Sequence, residues 1–393
     1  MAARLLEGKP IMPIAAAIPH RILLALAMTP VLLITAAATA ADLPKSMSWT
    51  SYDVGSAGYA EASAIADAFG KKFDVRVRIR PSGSSIGRLQ PLLENKAGYG
   101  FLATEAFFAA EGIYDFADRR WGPQNLRGLA GRPSSFGIPT AKDANIRTVT
   151  GLRGKRVAYI AGNPSINVKC DALIAFGGLT RNDVEAIMFP TYNAAMKSLA
   201  EGKADATCTT TTPSQLYELA ESPRGIYWVP VPPDDKEGWE RLAKVAPFLA
   251  PYTENVGAGI SSENPAAMFA YRYPVLVTTA DTSADEVYAF VKALDETYGM
   301  YKDATAVTPR WDLKEAGRPP MDVPFHEGAI RYMQEKGIWT EADQQWNDRR
   351  LRRLEALLAA WRETIKAAEQ DGIGNEQFPD FWEQRRQRAL ATL

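Results

Sequence analysis

The sequence predicts an α/β protein of two lobes facing each other across a ligand cleft, with a helical C-terminal extension. Three observations carry this. Strand-like and helix-like segments alternate from Trp49 onward, and the alternation breaks and restarts after about residue 136. Five strand-to-helix turns are crowded with Gly, Ser, Thr and Asn. The balance of 45 basic and 46 acidic residues excludes a nucleic-acid binder that relies on bulk positive charge.

The first segments run in order. Arg4, Lys9 and Arg21 precede an apolar stretch, "ILLALAMTPVLLI", which ends in "TAAATAADLP". A basic region, a short apolar core and a small-residue site at Ala38 and Ala40 are the marks of a secretory signal. Residues 1–41 are therefore expected to be removed, which places the mature chain in the periplasm; Met12 is an alternative start. A strand is expected over Trp49–Val54, and a helix follows with Ala62, Ile65, Ala66 and Phe69 on one face. "DVRVRIRPS" is a second strand, "IGRLQPLLENKAG" a short helix despite Pro91, and Tyr99–Ala103 a buried strand leading into another helix.

The pattern restarts in the second lobe. A strand is expected over Arg156–Ile160, a turn over Gly162–Ser165 and a helix over Asn167–Phe176, stopped by Gly177 and Gly178. A helix over Asn193–Glu201 and a strand over Ala204–Cys208 follow. The Pro-rich stretch from Val229 to Pro265 reads as irregular. A strand over Val275–Thr279 and a helix with Val287, Phe290, Val291 and Leu294 on one face lead back to the first lobe. Near the C-terminus Leu354, Leu357, Leu358, Trp361 and Ile365 form a helical stripe; Arg349, Arg350, Arg352 and Arg353 beside it read as a solvated face. The expected divisions are 42–135 for lobe one, 136–271 for lobe two, 272–342 for a segment returning to lobe one and 343–393 for the extension.

The polar turns are Gly55–Tyr59, Ser82–Ser85 and Thr104–Glu105 in lobe one, and Gly162–Asn167 and Thr209–Thr212 in lobe two. Ligands of open α/β sheets bind outside the carboxyl ends of the strands, where helix N-termini offer free N–H groups. Small residues let the backbone approach, and hydroxyl and amide groups add fixed hydrogen bonds. Ser, Thr and Asn at these places also serve as ordinary helix caps. "PSGSSIGR" lacks the Gly-Lys-Ser/Thr of a phosphate loop, and "GSAGYA" lacks the full dinucleotide pattern.

Cys170 and Cys208 are the two cysteines; they fit either a disulfide in an oxidising compartment or two buried thiols, the plainer reading. With His20 in the signal, His326 is the one histidine left, which removes any His-rich metal site and weakens a hydrolase triad. Of the carboxylates near the cleft, Asp205 reads as structural and Glu105 as a cap or surface partner.

The ordered motifs resemble those of the TAXI-type solute receptors of TRAP transporters, from about Trp49 to about Gly337. Gly55-Ser56-Ala57-Gly58-Tyr59 is similar to the family's first Gly-rich turn, and Ser82 to Leu89 to its Thr-Gly-Gly-Ser run. "AGYGFLATEAFF", "LRGKRVAYIAGNPSINVKCDALIAFGGLT", "SLAEGKADATCTTTTPSQLYELA" and "VPFHEGAIRYMQEKG" follow in family order. Ala57 and Asn163-Pro164-Ser165 depart from its pattern. The resemblance implies a type II periplasmic binding-protein-like fold; no acid–base pair, metal set or activated nucleophile stands out in the sequence, so no enzymatic activity, cofactor or metal is expected. The resemblance also implies a small carboxylate or amino-acid ligand handed to TRAP membrane permease subunits. The residues expected to bind that ligand are Ser56, Tyr59, Ser84, Ser85 and Thr104 from lobe one and Asn163, Ser165, Asn167, Thr210 and Thr211 from lobe two. An enzyme on the same scaffold and a ligand-sensing partner of a membrane signalling protein are the alternatives.

Overall fold

A computed structural model describes residues 43–393, so the expected signal segment lies outside the described residues. Lobe one opens with β1 (Ser46–Ser51), α1 (Ala57–Phe73), β2 (Arg76–Pro81), α2 (Ser85–Leu93), β3 (Tyr99–Leu102) and α3 (Glu105–Glu111). The chain then leaves along β4 (Leu126–Phe136), an eleven-residue strand, and passes through Gly137 into β5 (Ile138–Ala141). Lobe two continues with β6 (Arg156–Ile160), α4 (Pro164–Phe176), β7 (Glu185–Phe189), α5 (Tyr192–Ala200), α6 (Ser214–Glu221), β8 (Ile226–Val229), α7 (Lys236–Val245) and β9 (Ala250–Glu254). The chain returns along β10 (Ala266–Thr279), followed by α8 (Ala284–Glu296), the short α9 (Tyr298–Tyr301) and α10 (Leu313–Ala316), and α11 (Glu327–Glu335). The extension consists of α12 (Glu341–Gln370) and α13 (Phe378–Leu390).

The lobe-one sheet has the order β2-β1-β3-β10-β4, with β1 parallel to β2 and β3, and β10 antiparallel to β3 and β4. In lobe two β6 pairs parallel with β7, and β5 pairs antiparallel with β8. The expected strand over Ala204–Cys208 is not a regular strand. Its Ala206 bridges Thr140 on one side and Val157 on the other, and so stitches the two pairs together. β4 and β10 pair along their length, from Leu126 with Thr279 to Phe136 with Phe269, and carry the two covalent crossings between lobes. Two α/β lobes joined in this way make the type II periplasmic binding-protein-like fold that the motifs imply.

Each lobe has its own apolar core. Trp49, Phe69, Phe101 and Phe290 meet at centroid distances of 5.2–5.5 Å in lobe one. Val157, Leu173, Ile174 and Met196 lie in the second core. The Pro-rich stretch is more ordered than its composition suggests: α7 buries Leu242 under a cap from Asp235, and β9 pairs with β10. Cys170 and Cys208 form a disulfide, which corrects the expectation of two free thiols.

The arginines of α12 also depart from expectation. Arg349 and Arg352 are exposed, but Arg353 makes two hydrogen bonds, of 2.7 and 2.8 Å, to the buried Glu111 of α3. Arg386 of α13 adds a third of 2.6 Å, and Arg350 lies 3.6 Å from the same carboxylate. Burial works against the charged form of Glu111; these arginines outweigh it and hold the carboxyl below its ordinary range. Phe378 and Trp382 complete a small third core with Leu357 and Ala368, so the extension is fastened to lobe one.

Candidate functional site

The strand ends of both lobes meet at one interface. Ser85 donates its backbone N–H to the Gly162 carbonyl at 3.0 Å, and Asn163 Nδ2 donates to the Gly83 carbonyl at 2.8 Å. Ser214 N–H donates to the Gly55 carbonyl at 3.2 Å. The small residues of "PSGSSIGR" now have a physical reason. A Cβ at Gly83 would sit 2.7 Å from Asp53 Oδ2 and 3.2 Å from the Tyr192 amide, so a larger residue would wedge the lobes apart. Gly55 has φ +89° and faces Gln215 at 2.6 Å from the place a Cβ would take.

Behind that contact lies a buried charged cluster. Arg88, on the inner face of α2, donates Nε to Glu105 Oε1 at 2.7 Å and Nη1 to the Ser82 carbonyl at 3.0 Å. Both Arg88 and Glu105 side chains are fully buried. The guanidinium lies 3.4 Å from the ring centroid of Tyr52, which follows β1. Burial alone would push the Glu105 carboxyl up; the Arg88 charge outweighs it and holds the carboxyl below its usual range. From lobe two, Lys169 of α4 reaches in, donates to Thr104 Oγ1 at 3.0 Å and lies 4.1 Å from the Tyr271 ring centroid. Tyr192 and Tyr273 pack on Tyr52 at 5.8 and 5.4 Å and close the cluster. Ser51 Oγ, Asp53 Oδ2, Glu105 Oε2 and Gln215 Oε1 are buried and have no partner.

The ten expected residues divide by what their side chains do. Ser56 and Ser84 are N-caps, accepting from Tyr59 N and Gly87 N at 3.2 and 3.1 Å. Tyr59 is half-buried on α1. Ser85 is buried and shares weak contacts with Asn163 Oδ1 and Arg88 Nη2, at 3.5 and 3.4 Å. Thr104 holds Lys169, and Ser165 accepts from the Tyr52 hydroxyl at 3.4 Å. Asn163 caps α4 as well as reaching Gly83. Asn167 is a brace, bonding both the N–H and the carbonyl of Ile160 at 3.0 and 2.7 Å. Thr211 donates to the Val256 carbonyl at 2.7 Å, and Thr210 is buried beside it. Thus Ser85, Thr104, Asn163 and Ser165 meet at the interface, whereas Asn167 and Thr211 are turned to their own lobe.

Arg88, Lys169 and Tyr52 were not anticipated, and Glu105 is a fully buried partner of Arg88 rather than a surface carboxylate. One signal for Lys169 was available: a lone cation inside the apolar run "INVKCDALIAF". Asp205 is structural as expected, paired with Arg156 at 2.6 Å.

Two expected results follow from these contacts. Because the Ser84 hydroxyl caps α2, Ser84→Ala should lower stability by about 1 kcal/mol. Denaturant titration checks this, and an unchanged midpoint would remove the cap. Lys169 gives a pH signature. Burial pushes its ammonium down from 10.5 to about 7, only partly opposed by Glu105. Below pH 7 the lysine is charged in both folded and unfolded chains, and the cost of burying that charge is fully present. Between about 7 and 10.5 the unfolded chain keeps a proton the folded chain has released, so this group makes stability rise with pH. Lys169→Met should flatten that rise in melting temperature across pH 7–9.5; an equal slope in both proteins would refute the assignment.

The sequence profile of the NMT1-like family matches residues 51–337. Solved structures of related shape include the alkanesulfonate-binding protein SsuA from Xanthomonas axonopodis pv. citri bound to MOPS, at 14% identity and TM-score 0.41 over 77% of this chain and 95% of that one. PhnD1 from Prochlorococcus marinus in complex with methylphosphonate aligns at 13% identity and TM-score 0.40, over 65% and 84% of the two chains. The GluR0 ligand-binding core from Nostoc punctiforme in complex with L-glutamate aligns at 15% identity and TM-score 0.37, over 66% and 97%.

Proposed function

The chain belongs to the NMT1-like family, and on that premise we propose that it is an extracytoplasmic solute receptor that closes its two lobes on a small carboxylate or amino acid. One observation carries the reading of the ligand. Lys169 reaches in beside the buried Arg88–Glu105 pair, where the charges of Glu105 and Asp322 act on it, and among the described residues it forms no ion pair. A ligand carboxylate would give Lys169 the direct ionic partner it lacks, and the partnerless acceptors Asp53 Oδ2 and Gln215 Oε1 would suit an amino group on the same molecule. Because the residues concerned come from both lobes, such a ligand favours the closed arrangement by touching both at once.

The ordered motifs from Gly55 to Leu89 and from Leu152 to Ala220 support a TAXI-type receptor that delivers its solute to a TRAP permease in the membrane. Export by the N-terminal segment would place it in the periplasm. The test is mass spectrometry of the compound that co-purifies, followed by a melting-shift screen of amino acids and organic acids. A true ligand at 100 times its Kd should add about 2.7 kcal/mol without being consumed. Stabilisation by sugars or cations alone would overturn the carboxylate reading, and turnover would make the protein an enzyme.

A further inference from the structure

A cavity of about 400 Å³ opens where both lobes, the crossing strand β10 and the extension meet. Of the residues expected at the cleft, Thr104 alone lines it. Phe107 of α3, Phe248 between α7 and β9, Tyr271 of β10 and Trp346 of α12 line it. Asp322, in the segment before α11, supplies a carboxyl to this otherwise mostly apolar lining. Its Oδ2 is buried and has no hydrogen-bond partner. A pocket of this size, apolar with few polar groups, is what small organic ligands occupy. An unmade bond at a buried carboxyl is costly unless something fills it.

We propose that this cavity is a second ligand site, which takes a small, mostly apolar molecule carrying one uncharged N–H or O–H donor for Asp322 Oδ2. The charges around it decide against the alternatives. Arg272 and Arg350 lie in the wall. Arg272 donates to the carbonyls of Gly131, Glu315 and Arg318, and Arg350 to that of Asp322. An ammonium would meet both guanidinium groups, and a carboxylate would meet Asp322. Burial pushes the Asp322 carboxyl up to about 7, and Lys169 and Arg350 oppose that only in part. The carboxyl therefore presents an acceptor oxygen in either protonation state.

The site also has a mechanical consequence. Phe107 and Phe248 meet across the lobes at 5.2 Å between centroids, and Arg350 lies 5.0 Å from the Phe107 centroid. A molecule in the cavity touches both lobes and α12 together, so it favours the closed arrangement without entering the Arg88–Glu105 cluster.

The experiment is calorimetric titration of the full chain with four probes of similar size: indole, phenol, benzylamine and benzoate. Indole and phenol should bind saturably, with the two charged probes at least about tenfold weaker. Asp322→Leu should weaken indole by roughly fivefold to tenfold, the worth of one hydrogen bond. Asp322→Asn, which keeps an acceptor oxygen and the shape, should retain binding within about threefold of the parent on the same scale. Trp346→Ala should also weaken indole, and it keeps the test open if the leucine variant fails to fold. Absence of saturable binding by indole and phenol, equal affinity for the charged probes, or indifference of indole to both the Asp322→Leu and Trp346→Ala changes would overturn the proposal.

Discussion

Arg88→Met is expected to lower the stability of the unliganded protein by about 3–5 kcal/mol and to abolish ligand binding. The first effect follows from what the substitution leaves behind. Glu105 would remain fully buried with its 2.7 Å partner gone and its other oxygen already unpaired. Lys169 donates to Thr104 and makes no hydrogen bond to Glu105 in the intact cluster. The loss should therefore be a penalty for an orphaned charge, and removing that charge should relieve it. Arg88→Met with Glu105→Gln should recover most of the stability, because replacing a whole buried pair is far cheaper than breaking it. Binding should not recover, since the guanidinium is what favours an anion in the cleft. Denaturant titration and ligand titration on the single and double variants separate the two effects. A double variant as unstable as the single one would show that Arg88 acts through packing on Tyr52 instead of through Glu105.

How much of this was legible in the sequence depends on how local the cause is. The strand Arg156–Ile160 was readable to the residue because an apolar run stands between a Gly-Lys turn and Gly162. The start of α4 was placed late, because Pro164 looked like part of a turn; it is a first-turn proline under the Asn163 cap. α7 was missed because prolines flank it, although Trp239, Leu242 and Val245 recur at helical spacing. Ala204–Cys208 has a strand's composition, but its backbone meets neighbours on both sides through single bridges. The turns that bring the lobes together were visible as clusters of Gly and Ser. The charges behind them were not. Arg88 sits beside Leu89 on a helix whose apolar face looked sufficient by itself, and its partner is seventeen residues away in another element. The α12 arginines behave likewise: nothing near Arg353 in the chain announces Glu111, 242 residues earlier.

Loss of the Cys170–Cys208 bond should cost about 4 kcal/mol if it acts mainly on the unfolded chain, because it closes a loop across a sequence separation of 38. With two cysteines in the sequence, no alternative pairing within one chain can compensate. The bond has a second consequence through its position. Cys170 follows Lys169 on α4, whose N-terminus carries Asn163 and Ser165, and Cys208 precedes Thr209, Thr210 and Thr211. The disulfide thus clamps the two polar walls that lobe two presents to the cleft, with Cα atoms 5.4 Å apart. Cys170→Ala with Cys208→Ala should melt at a lower temperature than the oxidised parent, and adding reductant should shift the parent but not the variant. Ligand affinity should fall as well, since Lys169 would lose the anchor next to it. A stability loss below about 1 kcal/mol would mean that the thiols pack as ordinary buried side chains and that the clamp is unnecessary. Full stability loss with unchanged affinity would instead confine the bond to the fold, leaving Thr104 and the Tyr271 ring to position the lysine.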